Sequence, residues 1–216
     1  MKHLRFIFPL MLCCIVAGLM TSCLNDDNDD NGLTYEQRLQ AFQTVRGNYS
    51  GKAICYNRAY SGISAPTAKD IDSTDVHFSM LTDSTARVFD FPLSAVANQV
   101  KDDELANALL TASPAYVQLD MVTQYNSVSP VMCLIGVKPV TLSLNYGGSA
   151  HQVEIGFSYG YIGYRYYVSS GVYDADKGKF NIRLLLGGIK VDGNDVSSSA
   201  LFNDSAHGVI LIEGHR

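Results

Sequence analysis

Val140-Thr141-Leu142-Ser143-Leu144-Asn145-Tyr146 runs into Gly147-Gly148, and the chain then continues Ser149-Ala150-His151-Gln152-Val153-Glu154-Ile155-Gly156-Phe157. Apolar residues alternate with polar ones on both sides of the glycines, the period of a half-buried strand. A two-residue Gly-Gly loop supplies the turn whose twist matches two antiparallel strands. Closing it between Tyr146 and Ser149 sets Leu144 opposite His151, Leu142 opposite Val153 and Val140 opposite Ile155. Val140, Leu142, Leu144, Val153 and Ile155 then share one face, so turn chemistry and hydrophobic pattern agree on a single register. His151 shares that face and reads as a satisfied histidine in the core or at a cavity mouth.

The same period spreads in both directions. Tyr49, Gly51, Ala53 and Cys55 alternate with polar neighbours, Val76, Phe78 and Met80 alternate with His77 and Ser79, and Val88–Phe91, Tyr116–Tyr125 and Val131–Val137 read as further strands. Near the C-terminus, Phe180, Ile182, Leu184 and Leu186 form an inward face. A four-residue loop over 174–177 would set them against Gly171, Ser169, Tyr167 and Arg165. A five-residue loop, Asp174–Gly178, sets them against Val172, Ser170, Val168 and Tyr166, the more apolar choice and the one the pattern predicts. Asp192-Gly193-Asn194 marks another turn, and 208–212 a last strand.

Helices interrupt the strands twice. Thr34 and Gln37 form a capping box ahead of Leu39, Phe42 and Val45, which predicts a helix over 35–46. Leu93, Val96, Ala97 and Val100, then Leu105, Ala108, Leu109 and Ala112, predict two short helices between 92 and 112, the second capped by Asp102 or Asp103. About nine or ten strands at this spacing predict a mainly β fold, an antiparallel β-barrel or flattened β-sandwich with a short N-terminal helix and a two-helix insertion.

Two stretches carry a resemblance. Arg46-Gly47-Asn48-Tyr49-Ser50-Gly51-Lys52 resembles the opening of lipocalin-like (calycin-like) domains in uncharacterised Bacteroidetes-type surface lipoproteins. Phe91-Pro92-Leu93-Ser94-Ala95-Val96 followed by Asp103-Glu104-Leu105 is similar to a helical insert of the same group. The resemblance implies a lipocalin-like β domain; no chemistry comes with it.

The first residues read as an address. Lys2, His3 and Arg5 precede an apolar run from Phe6 to Met20, shorter than the ~20 residues a spanning helix wants and placed as in a secretory signal. Leu19-Met20-Thr21-Ser22-Cys23 resembles a lipobox, which makes residues 1–22 a lipoprotein signal peptide and Cys23 the site of lipid attachment. Asp26, Asp27, Asp29 and Asp30 then give an acidic tether over 23–33, self-repelling and extended. Placed just after Cys23, that run is similar to the export signal of Bacteroidetes-type surface lipoproteins; a periplasm-facing anchor is the other reading. Residues 34–216 form a single β-rich domain.

Composition narrows the function classes. The 216 residues carry a formal charge of −5, and beyond Gly32 the balance is 14 basic against 17 acidic side chains. A near-neutral body with a chain pI of 5.4 lacks the basic footprint of a nucleic-acid binder, so no nucleic-acid partner is expected. With Cys13 and Cys14 in the signal, Cys55 and Cys133 remain, able to pair in an oxidising compartment or to pack as buried thiols. No hydrolase, zinc or phosphate-loop motif occurs, so no catalytic residue, metal ligand or cofactor is assigned. Asp174-x-Asp176-x-Gly178 begins like a calcium loop but lacks its distal Glu, and reads as a turn.

Tyrosine is conspicuous, 13 against no tryptophan, and six of them fall between 159 and 173. Strand packing accounts for them in one reading. In the other, the register above turns Tyr161, Arg165 and Tyr167 to one outward strand face, spread over about 20 Å. Two phenols and a guanidinium there suit a sugar or an extended peptide. The chain is thus expected to be a cell-surface-anchored, non-enzymatic binding module for a glycan, peptide or small ligand, held at an outer membrane through Cys23. The alternative is a structural or assembly component of a cell-surface complex, with a hydrolase behind both.

Overall fold

Strands β1 (Gly47–Tyr56), β2 (Ile71–Thr82), β3 (Thr85–Pro92), β4 (Tyr116–Val128) and β5 (Val131–Val137) follow one another as an antiparallel meander. β5 pairs with β10 (Ser170–Asp174), β10 with β11 (Lys179–Val191), β11 with β13 (Val209–His215), and β13 returns to β1. The result is a closed eight-stranded antiparallel barrel, as expected, and barrel rather than sandwich. The computed structural model describes residues 32–157, 160–162, 165–204 and 206–216, at 160–162 and 165–167 the backbone alone. The signal segment, Cys23 and the acidic run lie outside the described residues.

Closure satisfies both edges of all eight strands, and alternation turns one face of each into the lumen. Tyr49, Phe78, Phe91, Leu119, Met121, Phe180, Ile182 and Leu184 point in and are essentially sealed from water. Toward one end, here the lower, Tyr49 stacks on Phe78 at 4.8 Å and both meet Phe180 edge-on at 5.8 and 6.2 Å. Glycines make room for those rings: a Cβ on Gly171 would stand 2.6 Å from Phe180, and one on Gly214 would collide with Phe78. Helix α1 (Tyr35–Val45), started by the expected Thr34–Gln37 capping box, caps this end. The Tyr49 hydroxyl donates to the Val45 carbonyl at 2.6 Å, and the Arg216 guanidinium lies 5.3 Å from the Tyr49 ring and 5.0 Å from that of Tyr173.

The other end is built differently. Helices α2 (Leu93–Ala97) and α3 (Asp103–Leu110) sit within the expected 92–112 stretch, and Asp102 caps α3 by accepting the Leu105 N–H. After Leu185, β11 leaves the barrel and pairs with β7 (Ser149–Phe157), with a register shift between Leu186 and Gly188, and β7 pairs with β6 (Val140–Tyr146). The β6–β7 register is the one the Gly-Gly turn predicts, Leu142 opposite Val153, with Gly147 and Gly148 both at positive φ. β6 is the last strand of this flap. Three short segments complete the chain: β8 (Gly160–Ile162) with β9 (Arg165–Tyr167), β12 (Asn194–Asp195) beside β11, and helix α4 (Ser197–Ala200).

One register departs from expectation. β10 and β11 pair Tyr173 with Phe180 and Gly171 with Ile182, so the loop is the four residues 175–178 and not Asp174–Gly178. Tyr173, Gly171 and Ser169 therefore turn inward, and Val172 does not. The Phe180 ring occupies the space over Gly171, which is why a glycine faces the core where a valine was expected.

Candidate functional site

A barrel of eight strands has a lumen that either holds a small ligand or is filled by its own side chains. Here rings and aliphatic chains fill it. Among the described residues the Thr123 and Tyr125 hydroxyls on β4 are buried without a hydrogen-bond partner. Cys133 sits opposite Tyr125, and burial pushes its thiol up to about 12. Burial also raises Cys55, at the upper end, and both cysteines are free. A thiol held so high is no nucleophile near neutrality.

Surface chemistry therefore decides, and the outer wall of β13, β1 and β2 carries the best-ordered polar array. A groove of about 520 Å³ there is lined by Ser50, Lys52, Ile54, Asp75, His77, Glu213 and His215. Strand register sets its rows: Ser50 stands opposite His215 on one side and His77 on the other, and Lys52 lies between Glu213 and Asp75. Lys52 bonds Asp75 at 2.6 Å and holds that carboxyl below its usual range, while Lys179 reaches Glu213 at 2.5 Å.

His77 has a second partner on β3. Its Nδ1 meets Asp90 Oδ2 at 2.6 Å, and its backbone N–H donates to the other Asp90 oxygen at 2.6 Å. The carboxylate fixes the ring and leaves Nε2 for the groove. Hydroxyl, imidazole and carboxylate on three neighbouring strands are the parts of an activated nucleophile. The His77 side chain is 58% exposed, and among the described residues no hydrogen bond joins it to Ser50.

A second cleft of about 500 Å³ opens at the lower rim between Thr44, the turn at 128–131 and the β10–β11 loop. Asn181 lines it, with its Oδ1 buried and without a partner among the described residues. Asp174, expected as part of a turn, accepts the Lys177 N–H at 3.2 Å and pairs with the Lys177 ammonium at 2.9 Å.

The other histidines are structural. His151, expected in the core or at a cavity mouth, sits instead partly exposed at the flap tip, satisfied by Asp192 at 2.7 Å and 4.5 Å from the Tyr146 ring. His207 is buried against Phe202, with Nδ1 at 2.9 Å from Asp204 and Nε2 at 3.1 Å from the Asn57 carbonyl.

Tyr161, Arg165 and Tyr167 lie on a hairpin and not along one strand. β8 and β9 form a two-stranded sheet of their own, with Tyr161 opposite Tyr166, Arg165 opposite Ile162 and Tyr167 opposite Gly160. Their side chains lie outside the described ones. Residues 161–167 are therefore not one strand: two short strands lie side by side.

Residues 44–191 match the family described as Domain of unknown function (DUF4840). The chain belongs to that family. The DUF4840 stretch contains Ser50, His77, Asp90, the β8–β9 ribbon and the whole flap, and ends with β11, so the barrel's closing strand β13 lies beyond it. No curated protein and no solved structure matches the chain.

Sequence reading placed His77 at a solvent-facing strand position but did not connect it to Ser50 or Asp90. Only the registers of β1, β2 and β3 bring those residues together: the two-residue Asp83-Ser84 turn is followed by a register shift between Met80 and Thr82, and the β1–β2 connection runs over 57–70.

Proposed function

We propose that this DUF4840 protein is a lipid-anchored, non-enzymatic binding module with a lipocalin-like barrel, attached to an outer membrane through Cys23 and displayed at the cell surface. Its ligand, a glycan, a peptide or another polar molecule, binds outside the barrel. The observation that carries this is the division of labour between lumen and ribbon. The lumen is filled, which favours an external site, and the tyrosine-dense β8–β9 ribbon hydrogen-bonds outside the barrel sheet. The wall does not need the ribbon's backbone, and Tyr161, Arg165 and Tyr167 remain the contact residues of this reading. The lipobox-like Leu19–Cys23 and the acidic run behind it support the anchor, since acyl chains contribute about 0.8 kcal/mol per buried CH₂.

Cell fractionation tests the anchor: Cys23→Ala moves the protein from membranes to soluble fractions, and an unchanged distribution overturns it. A thermal-shift screen against glycans and peptides tests the site. Tyr161→Ala with Tyr167→Ala abolishes any binding found and leaves the melting temperature nearly unchanged; a large fall in stability puts those rings in the core instead.

One observation favours a second reading, a hydrolase with Ser50 as nucleophile, His77 as base and Asp90 orienting the ring. In that case a fluorophosphonate probe labels Ser50, and labelling disappears in His77→Ala. Absence of labelling at Ser50 ends this reading.

A further inference from the structure

The barrel removes every edge it closes, and the flap leaves a long one at β6. β6 pairs with β7 on one side, and among the described residues no strand pairs with the other. In a two-residue hairpin the residues flanking the turn exchange hydrogen bonds, and bonding then alternates along the ladder. Tyr146, Leu144, Leu142 and Val140 accordingly turn their backbone groups to β7. Thr141, Ser143 and Asn145 turn theirs to the free edge, with exposed side chains. Strand edges of this kind are usually blunted by charge, proline or a covering segment. Val140–Tyr146 contains neither charge nor proline.

We propose that the β6 edge is an interface for a second copy of this chain, two β6 strands pairing antiparallel about a two-fold axis through Ser143. That register sets Ser143 opposite Ser143 of the second copy and Thr141 opposite Asn145, in both directions. Every N–H and C=O that the three residues turn outward then finds a partner. A register shifted along the strand leaves some of them bare. The pairing also sets Leu142 beside Leu144 of the other copy, apolar beside apolar, and brings no like charges together.

The ends of the strand name the occupant. Antiparallel pairing carries the exposed Lys138 of one copy toward the Gly147-Gly148 turn of the other. At that turn, exposed Glu104 holds its Oε2 3.3 Å from where a Gly147 Cβ would stand. The two-fold repeats this lysine–glutamate match at both ends, a complementarity that an unrelated strand would not supply. One strand pair buries less than a standard protein interface, so the association is of about micromolar strength and depends on concentration.

Sedimentation of the whole chain in detergent tests this, alongside Ser143→Lys, which sets two ammonium groups against each other on the axis. Ser143→Pro removes an outward N–H and leaves the β7 ladder intact. Expected is a monomer–dimer equilibrium that either substitution weakens by tenfold or more, and that Gln118→Lys on the barrel wall does not change. Ser143→Cys should cross-link to a dimer under mild oxidation. A wild type that is monomeric up to its solubility limit overturns the proposal. So does a dimer that ignores both substitutions and fails to cross-link through Ser143→Cys. Unchanged far-ultraviolet circular dichroism in each variant separates loss of pairing from loss of fold.

Discussion

The two halves of β11 live in different structures. Its lower half is paired with β13 over Lys179–Leu185 and with β10 over Lys179–Arg183, and faces a lumen packed with rings. Its upper half pairs with β7 and briefly with β12, in a flap that ends at an open edge. Below, strand closure and aromatic packing do the holding. Above, the apolar core continues through Leu93, Val96, Leu109, Val153, Phe157 and Ile189, and polar bonds between loops are added to it. Arg58 reaches the Val100 and Lys101 carbonyls and Asp103, Gln99 accepts the Gly208 N–H at 2.7 Å, and His207 ties the 204–208 loop to Asn57. One strand thus joins a region closed by strand pairing on both sides to a region where loop hydrogen bonds supplement apolar burial.

Substitutions can break each half in its own way. The largest effect belongs below: Phe180→Ala empties the contact with Tyr49, Phe78 and Gly171 and costs about 3–5 kcal/mol in urea unfolding. A cost under about 1 kcal/mol would mean that the rings do not carry the lower half. Gln99→Ala comes next. Gln99 is 1% exposed, its amide donates to the Ala95 carbonyl, and its loss strands the Gly208 N–H, a cost of about 1–3 kcal/mol. Hydrogen exchange should show that loss concentrated at 97–102 and 200–208, with β10 and β11 below Leu185 unaffected.

Acid has the smallest effect and falls mostly on the upper half. Asp192 is held below the usual carboxylate range by the His151 hydrogen bond and the Gln152 N–H, and Asp195 by the Ser197 hydroxyl and N–H. For Asp204, desolvation works the other way, but bonds from the His207 and Ala206 N–H groups and the His207 ring outweigh it, and the net shift is downward. A carboxyl whose folded pKa lies below its unfolded value of about 3.9 stabilises the fold above that value and loses the contribution as pH falls through the folded pKa. The melting temperature should therefore hold above about pH 5 and fall below about pH 4. Asp192→Asn should flatten part of that fall; a profile unchanged by it would show that the flap tip does not depend on this bond.

What could be read from the residues follows the same division. The β6–β7 hairpin was legible because Gly147-Gly148 admits one loop length and the alternation on both arms agrees with it. The β10–β11 register was not, because hydrophobic pattern counts side chains and Gly171 has none; its contribution is the space that Phe180 occupies. The tyrosine stripe assumed one strand from 161 to 167, and the lone Gly163 among those residues is a weaker sign than Gly-Gly at 147. Ser50, His77 and Asp90 come from three strands: Asp83-Ser84 joins β2 to β3 tightly, but a register shift between Met80 and Thr82 hides that pairing, and the β1–β2 connection over 57–70 is too long to set a register. The open edge of β6 has no signature in its own residues at all, since a strand lacks a neighbour only by virtue of where every other strand went.

The order in which the barrel closes also governs how the chain can acquire its shape. β1 has β2 close behind it in sequence, but its other neighbour, β13, arrives last, so that Gly51 meets Gly214. A nascent chain lacking Val209–His215 exposes two unsatisfied ladders, on β1 and on β11, and has no Arg216 to lay over Tyr49. Contacts of such long sequence separation make folding slow and leave those ladders open to mispairing until the final strand is delivered. Maturation of this barrel is therefore a single late event, and a nonsense codon ahead of residue 209 costs the whole cylinder and not merely its last stave.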